Sequence, residues 1–203
     1  MTDTPILVWD FDGVLNANTV DGRFVWADRL AQDWGVDKDA MAAHIFAPRR
    51  IGRIMRGQMD LRDAVTAWRD AAGHDFDVDD FLGYWFDKDA HPDAEVLAHL
   101  ARPDLRHVIG TNNETRRTAY IETEMGLGAH VEHIFASGRM GCAKPDGAYF
   151  ARIEAWSGAP RGAHVLVDDA ARNIDAAAMR GWQVFHFTDA TRDALSAFLD
   201  DLS

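Results

Sequence analysis

The stretch Ile6-Leu7-Val8-Trp9-Asp10-Phe11-Asp12-Gly13-Val14-Leu15-Asn16 carries an apolar run into two aspartates one residue apart, then into a glycine that permits a sharp turn. A strand sends successive side chains to opposite faces. Where such a strand ends and bends, the carboxylates of Asp10 and Asp12 can both swing toward one pocket. Two nearby acids in different environments take separate roles, one attacking as a nucleophile while the other keeps or relays a proton. The same segment also reads as a strand that stops in a solvated aspartate turn, and the rest of the chain decides between the two.

Downstream, residues 16–89 read as mostly helical. Trp26, Leu30 and Trp34 step by four, further helical stretches surround Met41 and Leu61, and no strand pattern interrupts them. From His91 the rhythm changes to helix (93–101) and strand (105–110), then helix (114–125) and strand (133–136), then helix (148–156) and strand (163–167). A helix (170–179), a strand (182–187) and a closing helix to Leu199 complete it. Alternating strands and helices indicate a doubly wound parallel sheet of α/β class, covered on both faces. The expected organisation is a core from residues 1–15 and 91–203, with residues 16–90 inserted as a helical lid over the carboxyl edge of the sheet.

That edge is where open parallel sheets bind ligands. Four polar clusters fall on it: Asp10 and Asp12, Thr111-Asn112-Asn113, Lys144 on a loop, and Asp168-Asp169 after an apolar strand. Each has a plain reading. Thr-Asn-Asn is a good helix cap before Glu114, and an acidic pair suits a helix N-terminus. Four coincidences at successive strand ends are better explained by one site.

Composition limits what that site can serve. The chain has 203 residues and a formal charge of -12, which argues against holding a nucleic-acid backbone. No apolar run approaches the roughly 20 residues that span a bilayer, and Met1-Thr2-Asp3-Thr4-Pro5 has neither the basic region nor the cleavage site of a leader. A cytoplasmic location is therefore expected. The single cysteine, Cys142, excludes an internal disulfide and reads as a small packing residue. With only three lysines against eighteen arginines, Lys144 in Gly141-Cys142-Ala143-Lys144-Pro145-Asp146-Gly147 stands out as a compact charge suited to a phosphate.

Oxygens from the Asp10 carboxylate, the Asp12 carbonyl and one of Asp168 or Asp169 suit a hard cation such as magnesium. Such a cation screens the repulsion between an anionic nucleophile and an anionic phosphate. Thr111 and Lys144 are placed to hold the other phosphate oxygens. In-line attack by Asp10 gives an aspartyl phosphate, and Asp12 protonates the leaving oxygen and later activates water.

At this point the chain resembles a phosphatase of the haloacid dehalogenase (HAD) superfamily with the helical first-type cap. Asp10-Phe11-Asp12-Gly13-Val14-Leu15 resembles the first motif, Thr111-Asn112 the second, Lys144-Pro145-Asp146 the third, and Val167-Asp168-Asp169 with Asn173 the fourth. The resemblance implies a Rossmann-like HAD core and a magnesium-dependent phosphomonoester hydrolase. Asp10 would be its nucleophile and Asp12 its acid/base. Thr111, Asn112 and Lys144 would lie at the phosphate, and Asp10, Asp12, Asp168 and Asp169 around the metal, with Asp169 the direct ligand and Asp168 behind it. The layout is closest to the subgroup of sugar-phosphate phosphatases and the phosphatase domain of some epoxide hydrolases. The dehalogenase branch lacks an acid at the position of Asp12. Asn16 and Asn113 depart from the common pattern, at positions expected to touch the substrate pocket rather than the core chemistry.

The expected substrate is a small soluble phosphometabolite, a sugar or polyol phosphate, and the expected assembly is a monomer or homodimer. A phosphomutase is the competing enzyme reading, and a catalytically idle binding module is the non-enzyme one. A signalling receiver fits poorly because its acidic pair precedes the phosphorylated residue. Arg49, Arg53 and Arg56 share a helical face, read as a solvated face paired with acids in preference to an anion subsite. Trp26, Trp34, Trp68 and Trp85 read as core packing in preference to stacking on a ligand. His130 and His133 lack the further ligands a metal would need.

Overall fold

A computed structural model describes residues 4–20 and 23–202. Met1 to Asp3, the start of the stretch read for a leader, lie outside the described residues. The first strand, β1 (Ile6–Trp9), is buried along its whole length. It is followed by a hairpin of two-residue strands, β2 (Thr19–Val20) and β3 (Arg23–Phe24), paired antiparallel. This hairpin corrects the expectation that no strand interrupts residues 16–89; two-residue strands are too short to show a period. Trp26 also falls before its expected helix, which is only α1 (Leu30–Trp34).

The helical insertion continues with α2 (Lys38–Ile45), α3 (Pro48–Ile54), α4 (Leu61–Ala72) and α5 (Val78–Lys88). Asp37, Asp60 and Asp77 cap α2, α4 and α5, Asp37 and Asp77 each accepting from two backbone N–H groups of the first turn and Asp60 from that of Arg62, so part of the chain's acidity serves helix starts. The insertion has its own apolar core, in which Met41, Ile45, Val65 and Phe81 are buried and Trp26, Trp68 and Trp85 are nearly so.

Past α6 (Ala94–Leu97), the chain builds β4 (Arg106–Thr111), α7 (Thr115–Thr123), β5 (His133–Ala136), α8 (Ser137–Met140) and α9 (Gly147–Ser157). It ends with β6 (His164–Asp168), α10 (Ala171–Met179), β7 (Gln183–His186) and α11 (Leu195–Asp200). The five long strands form one parallel sheet in the order β5-β4-β1-β6-β7. Alternation splits its side chains between two cores. Leu7, Trp9, Ile109 and Val167 enter one, and Ile6, Val8, Val108 and Leu166 the other. The chain leaves β1 toward β4 and β5 on one side and returns to β6 and β7 on the other, so the strand order reverses beside β1. Trp9 stands opposite Ile109 and Val167, which brings the residues after all three strand ends to one crevice.

Insertion and core touch at polar and backbone contacts. Arg116 pairs with Asp60 and Arg56 with Asp146. Gly57, with φ of +65°, lies so near the Gly138 carbonyl that a Cβ would collide with it. Among the described residues, no helix is long and apolar enough to cross a membrane.

Candidate active site

Asp10 follows β1 and is anchored at once, its N–H donating to the Val167 carbonyl at 2.9 Å. Its Oδ1 accepts from the Phe11 N–H at 2.7 Å and lies 3.0 Å from Lys144 Nζ. The turn that follows is closed by Gly13, whose N–H donates to the Asn16 carbonyl and whose φ is +79°. A Cβ there would stand 2.5 Å from an oxygen of Asp169, so the missing side chain lets the two segments approach.

Asp168 closes β6 and is fully buried. Its Oδ2 accepts from Lys144 Nζ at 2.6 Å and from Asn173 Nδ2 at 3.1 Å, and its Oδ1 from the Ala170 N–H and Asn173 Nδ2, each at 2.9 Å. Asp169 beside it is exposed. Lys144 is itself positioned by Asn112, whose Oδ1 accepts from the Lys144 N–H and whose Nδ2 donates to its carbonyl, both at 2.9 Å. Both polar ends of that amide are thus committed to the Lys144 backbone, which makes Asn112 a holder of Lys144 in this arrangement. Thr111 ends β4 buried, its Oγ1 accepting from Asn113 Nδ2 at 2.8 Å.

The helix after Thr111-Asn112-Asn113 is capped by Glu114, which accepts from the N–H groups of Arg116 and Arg117. The three residues before it are therefore free for other work. Asn113 donates to Asp12 Oδ2 at 2.9 Å, and one turn on, Arg117 grips the same carboxylate with Nη1 at 3.0 Å and Nη2 at 2.7 Å. The expectation that Asn113 stands away from the core chemistry is thereby corrected. Arg117 Nη2 also lies 2.6 Å from Asp89 Oδ2, at the end of α5. Asn18, just before β2, donates to both Asp12 and Asp89, and Asn16 ties the two linkers through the Asp89 carbonyl and the His91 N–H. Arg117 and Asp89 were not singled out from sequence. The signal that could have found Arg117 is its place in the first turn of the helix that starts just after Asn113.

Electrostatics separate the two aspartates of the turn. Burial pushes the Asp10 carboxyl well above its ordinary range; Lys144 pulls it down, and Asp168 and Asp12 push it up again. Burial also acts to raise Asp12, but the charge and hydrogen bonds of Arg117, with Asn113 and Asn18, outweigh it and hold this carboxyl below the usual value. Burial and Asp168 raise Asp169. Lys144 stays firmly protonated because Asp10 and Asp168 outweigh its burial.

Among the described residues, Asp10, Asp168 and Asp169 each offer a carboxylate oxygen within 4.8 Å of the others. Three acids gathered about one ammonium leave an excess of negative charge, and an all-oxygen donor set of this kind fits a hard divalent cation. His133 instead packs on Phe135 and Trp156. In the insertion, Arg49 and Arg53 are exposed, and Arg56 lies beyond the end of α3 on Asp146.

A family model for haloacid dehalogenase-like hydrolases matches residues 4–181. No curated protein matches the chain. Among solved structures, it is similar to a predicted HAD-like family hydrolase of Porphyromonas gingivalis, with 18% identity over 96% of this chain and 97% of that one and a TM-score of 0.73. A HAD family enzyme of Bacteroides thetaiotaomicron, in complex with magnesium and inorganic phosphate, shares 16% identity over 91% and 94% of the chains with a TM-score of 0.72. The L-2-haloacid dehalogenase of Xanthobacter autotrophicus, with chloropropionic acid covalently bound, shares 16% over 97% and 82% with a TM-score of 0.64. These likenesses carry the fold, and the family match covers both strand-end acid pairs together with Thr111 and Lys144. The chain belongs to the haloacid dehalogenase-like hydrolases.

Proposed function

We propose that the chain is a magnesium-dependent phosphomonoester hydrolase acting on a small soluble metabolite, with residues 16–90 as its cap. The observation that carries this reading is the pairing of two features in one crevice: the acid cluster of Asp10, Asp168 and Asp169 around Lys144, and a separate carboxylate, Asp12, held by Arg117, Asn113 and Asn18. A halide departs without a proton and brings no phosphate charge to neutralise; a phosphomonoester requires help with both.

Magnesium, held by Asp10, the Asp12 carbonyl and Asp169, would supply charge neutralisation between nucleophile and phosphate. Hydrogen bonds fall on Asp10 Oδ1, which leaves Oδ2 to attack phosphorus. A phosphomonoester bound as its monoanion brings one proton, which Asp12 takes up and passes to the departing oxygen as the P–O bond to the leaving group breaks, and the phosphoryl group rests on Asp10. Asp12, then ionised, takes a proton from water, whose oxygen attacks phosphorus and releases Asp10 and inorganic phosphate. Lys144 and the Thr111 hydroxyl bind the equatorial oxygens, and Asn112 fixes Lys144 for that task. Arg117 favours the ionised form of Asp12 that the second half-reaction uses.

Phosphate release from a panel of phosphorylated metabolites, with magnesium and with chelator, tests the reading. Magnesium-dependent release is expected; a chain that releases phosphate from none of them would overturn it.

A further inference from the structure

A cavity of about 80 Å³ lies between the insertion and the core, and two of its lining residues are Asn113 and Arg117, the same pair that holds the Asp12 carboxylate. Asn113 and Arg117 thus border both this space and the Asp12 carboxylate, which is not itself among the lining residues. Its walls are apolar: Trp26 stacked on Trp85 with ring centroids 4.2 Å apart, together with Ile54, Met55 and Phe86.

The polar groups that line it are already committed. Arg117 is bonded through Nη1 and Nη2 to Asp12, Asn113 and Asp89; Asp89 also accepts from Asn18; Asn113 uses both ends of its amide; Glu114 accepts two backbone N–H groups. A sugar or polyol entering here would leave hydroxyls facing apolar walls, and a buried hydroxyl without a partner is unfavourable. An apolar group gains from the same burial.

Resting on the phosphatase reading, we infer that the leaving group is a compact apolar alcohol, and that residues of α3 and α5 select it by excluding water around it. The volume is smaller than the ~150 Å³ dry cavity that accepts benzene, so a short branched or cyclic group fits and a long chain does not. Phe46, one of the lining residues, is 38% exposed.

Two measurements decide it. The first compares isobutyl phosphate with glycerol phosphate in magnesium, and kcat/KM is expected to favour the isobutyl ester by about 10-fold or more, the scale set by one or two methylenes in an apolar pocket. The second titrates isobutyl phosphonate and its dihydroxypropyl counterpart by calorimetry, with tighter binding and a negative heat-capacity change expected for the apolar one. Met55→Phe, which narrows the cavity, should reduce the preference at least about threefold, and Phe46→Ser offers a second variant if the first fails to fold. Hydrolysis that is equal or better for the polyol ester overturns the inference and leaves the phosphatase reading standing. Absence of any hydrolysis sinks the phosphatase reading, and the phosphonate titration then still decides whether the cavity prefers an apolar group; equal affinities would end the proposal.

Discussion

Arg117 and Asp12, 105 positions apart in the chain, meet in a two-pronged ion pair with Nη2 2.7 Å from Oδ1 and Nη1 3.0 Å from Oδ2. The Arg117 side chain is 13% exposed and that of Asp12 21%, so water screens the pair weakly. Asp89 shares Nη2 with Asp12, its Oδ2 2.6 Å away, and carries the chain of charge from the acid/base candidate to the end of the insertion.

Arg117→Gln should lower kcat by about 10- to 100-fold, because Asp12 loses the group that orients it. It should also destabilise the fold by on the order of 3 kcal/mol, since Asp89 is left buried beside no cation. Asp89→Asn combined with Arg117→Gln separates the two effects. Thermal melts should show most of the stability regained, while steady-state kinetics still show the activity lost. Recovery of both together would mean that Arg117 serves structure alone.

Asp10→Asn should reduce turnover at least about 10³-fold while the protein stays folded. The amide keeps the shape of the carboxylate and removes both its nucleophilicity and its repulsion of Asp168 and Asp12, the interactions that help push Asp10 upward. Lys144 retains Asp168 as its partner at 2.6 Å. A circular-dichroism melt in chelator should therefore match or exceed the wild type, and full activity in the variant would refute the assignment of Asp10.

The core fold was legible because its signals are local. Each buried strand shows as an apolar run, and Asp10, Thr111 and Asp168 sit at strand ends where short-range patterns place them, with Lys144 on the loop before α9. The hairpin of β2 and β3 escaped notice because two residues per strand cannot establish a period. Arg117 escaped because its meaning depends on a partner 105 residues away; on its own helix it reads as one more solvent-facing charge. The Asn112 amide is also clamped on the Lys144 backbone, an arrangement that only the approach of two loops creates and that no local pattern shows.

Asp169→Ala should raise the magnesium concentration needed for half-maximal activity at least about 10-fold and leave thermal stability almost unchanged, because the carboxylate is exposed. Asp168→Ala should behave differently. That carboxylate accepts from Lys144, Asn173 and the Ala170 N–H, and its loss strips a buried ammonium of one partner. The expected cost is about 3 kcal/mol, or a fall in Tm of roughly 6–12 °C for a chain of this size, with a smaller change in magnesium requirement than Asp169→Ala shows. Magnesium titrations and melts of the two variants side by side check this, and the reverse order would exchange the two roles.

Asp89 gives the fold a pH dependence of its own. Burial raises its carboxyl to about 6 against an ordinary value of 3.8, even though Arg117 pulls it down. Between pH 4 and 6 the folded chain therefore holds a proton at this site that the unfolded chain has released, so stability falls as pH rises through that window. Below it both states are protonated and no difference remains; above it the full penalty applies, about 3 kcal/mol by the free energy of a pKa displacement. The side chain is only 3% exposed, so solvent screening takes little from that figure. Asp89→Asn mimics the protonated form at every pH. Its Tm should equal the wild-type value near pH 4 and exceed it by roughly 6–12 °C at pH 7. Melts of both proteins at half-unit steps across this range read the difference directly, and a gap that does not widen with pH would place the Asp89 carboxyl in its ordinary range.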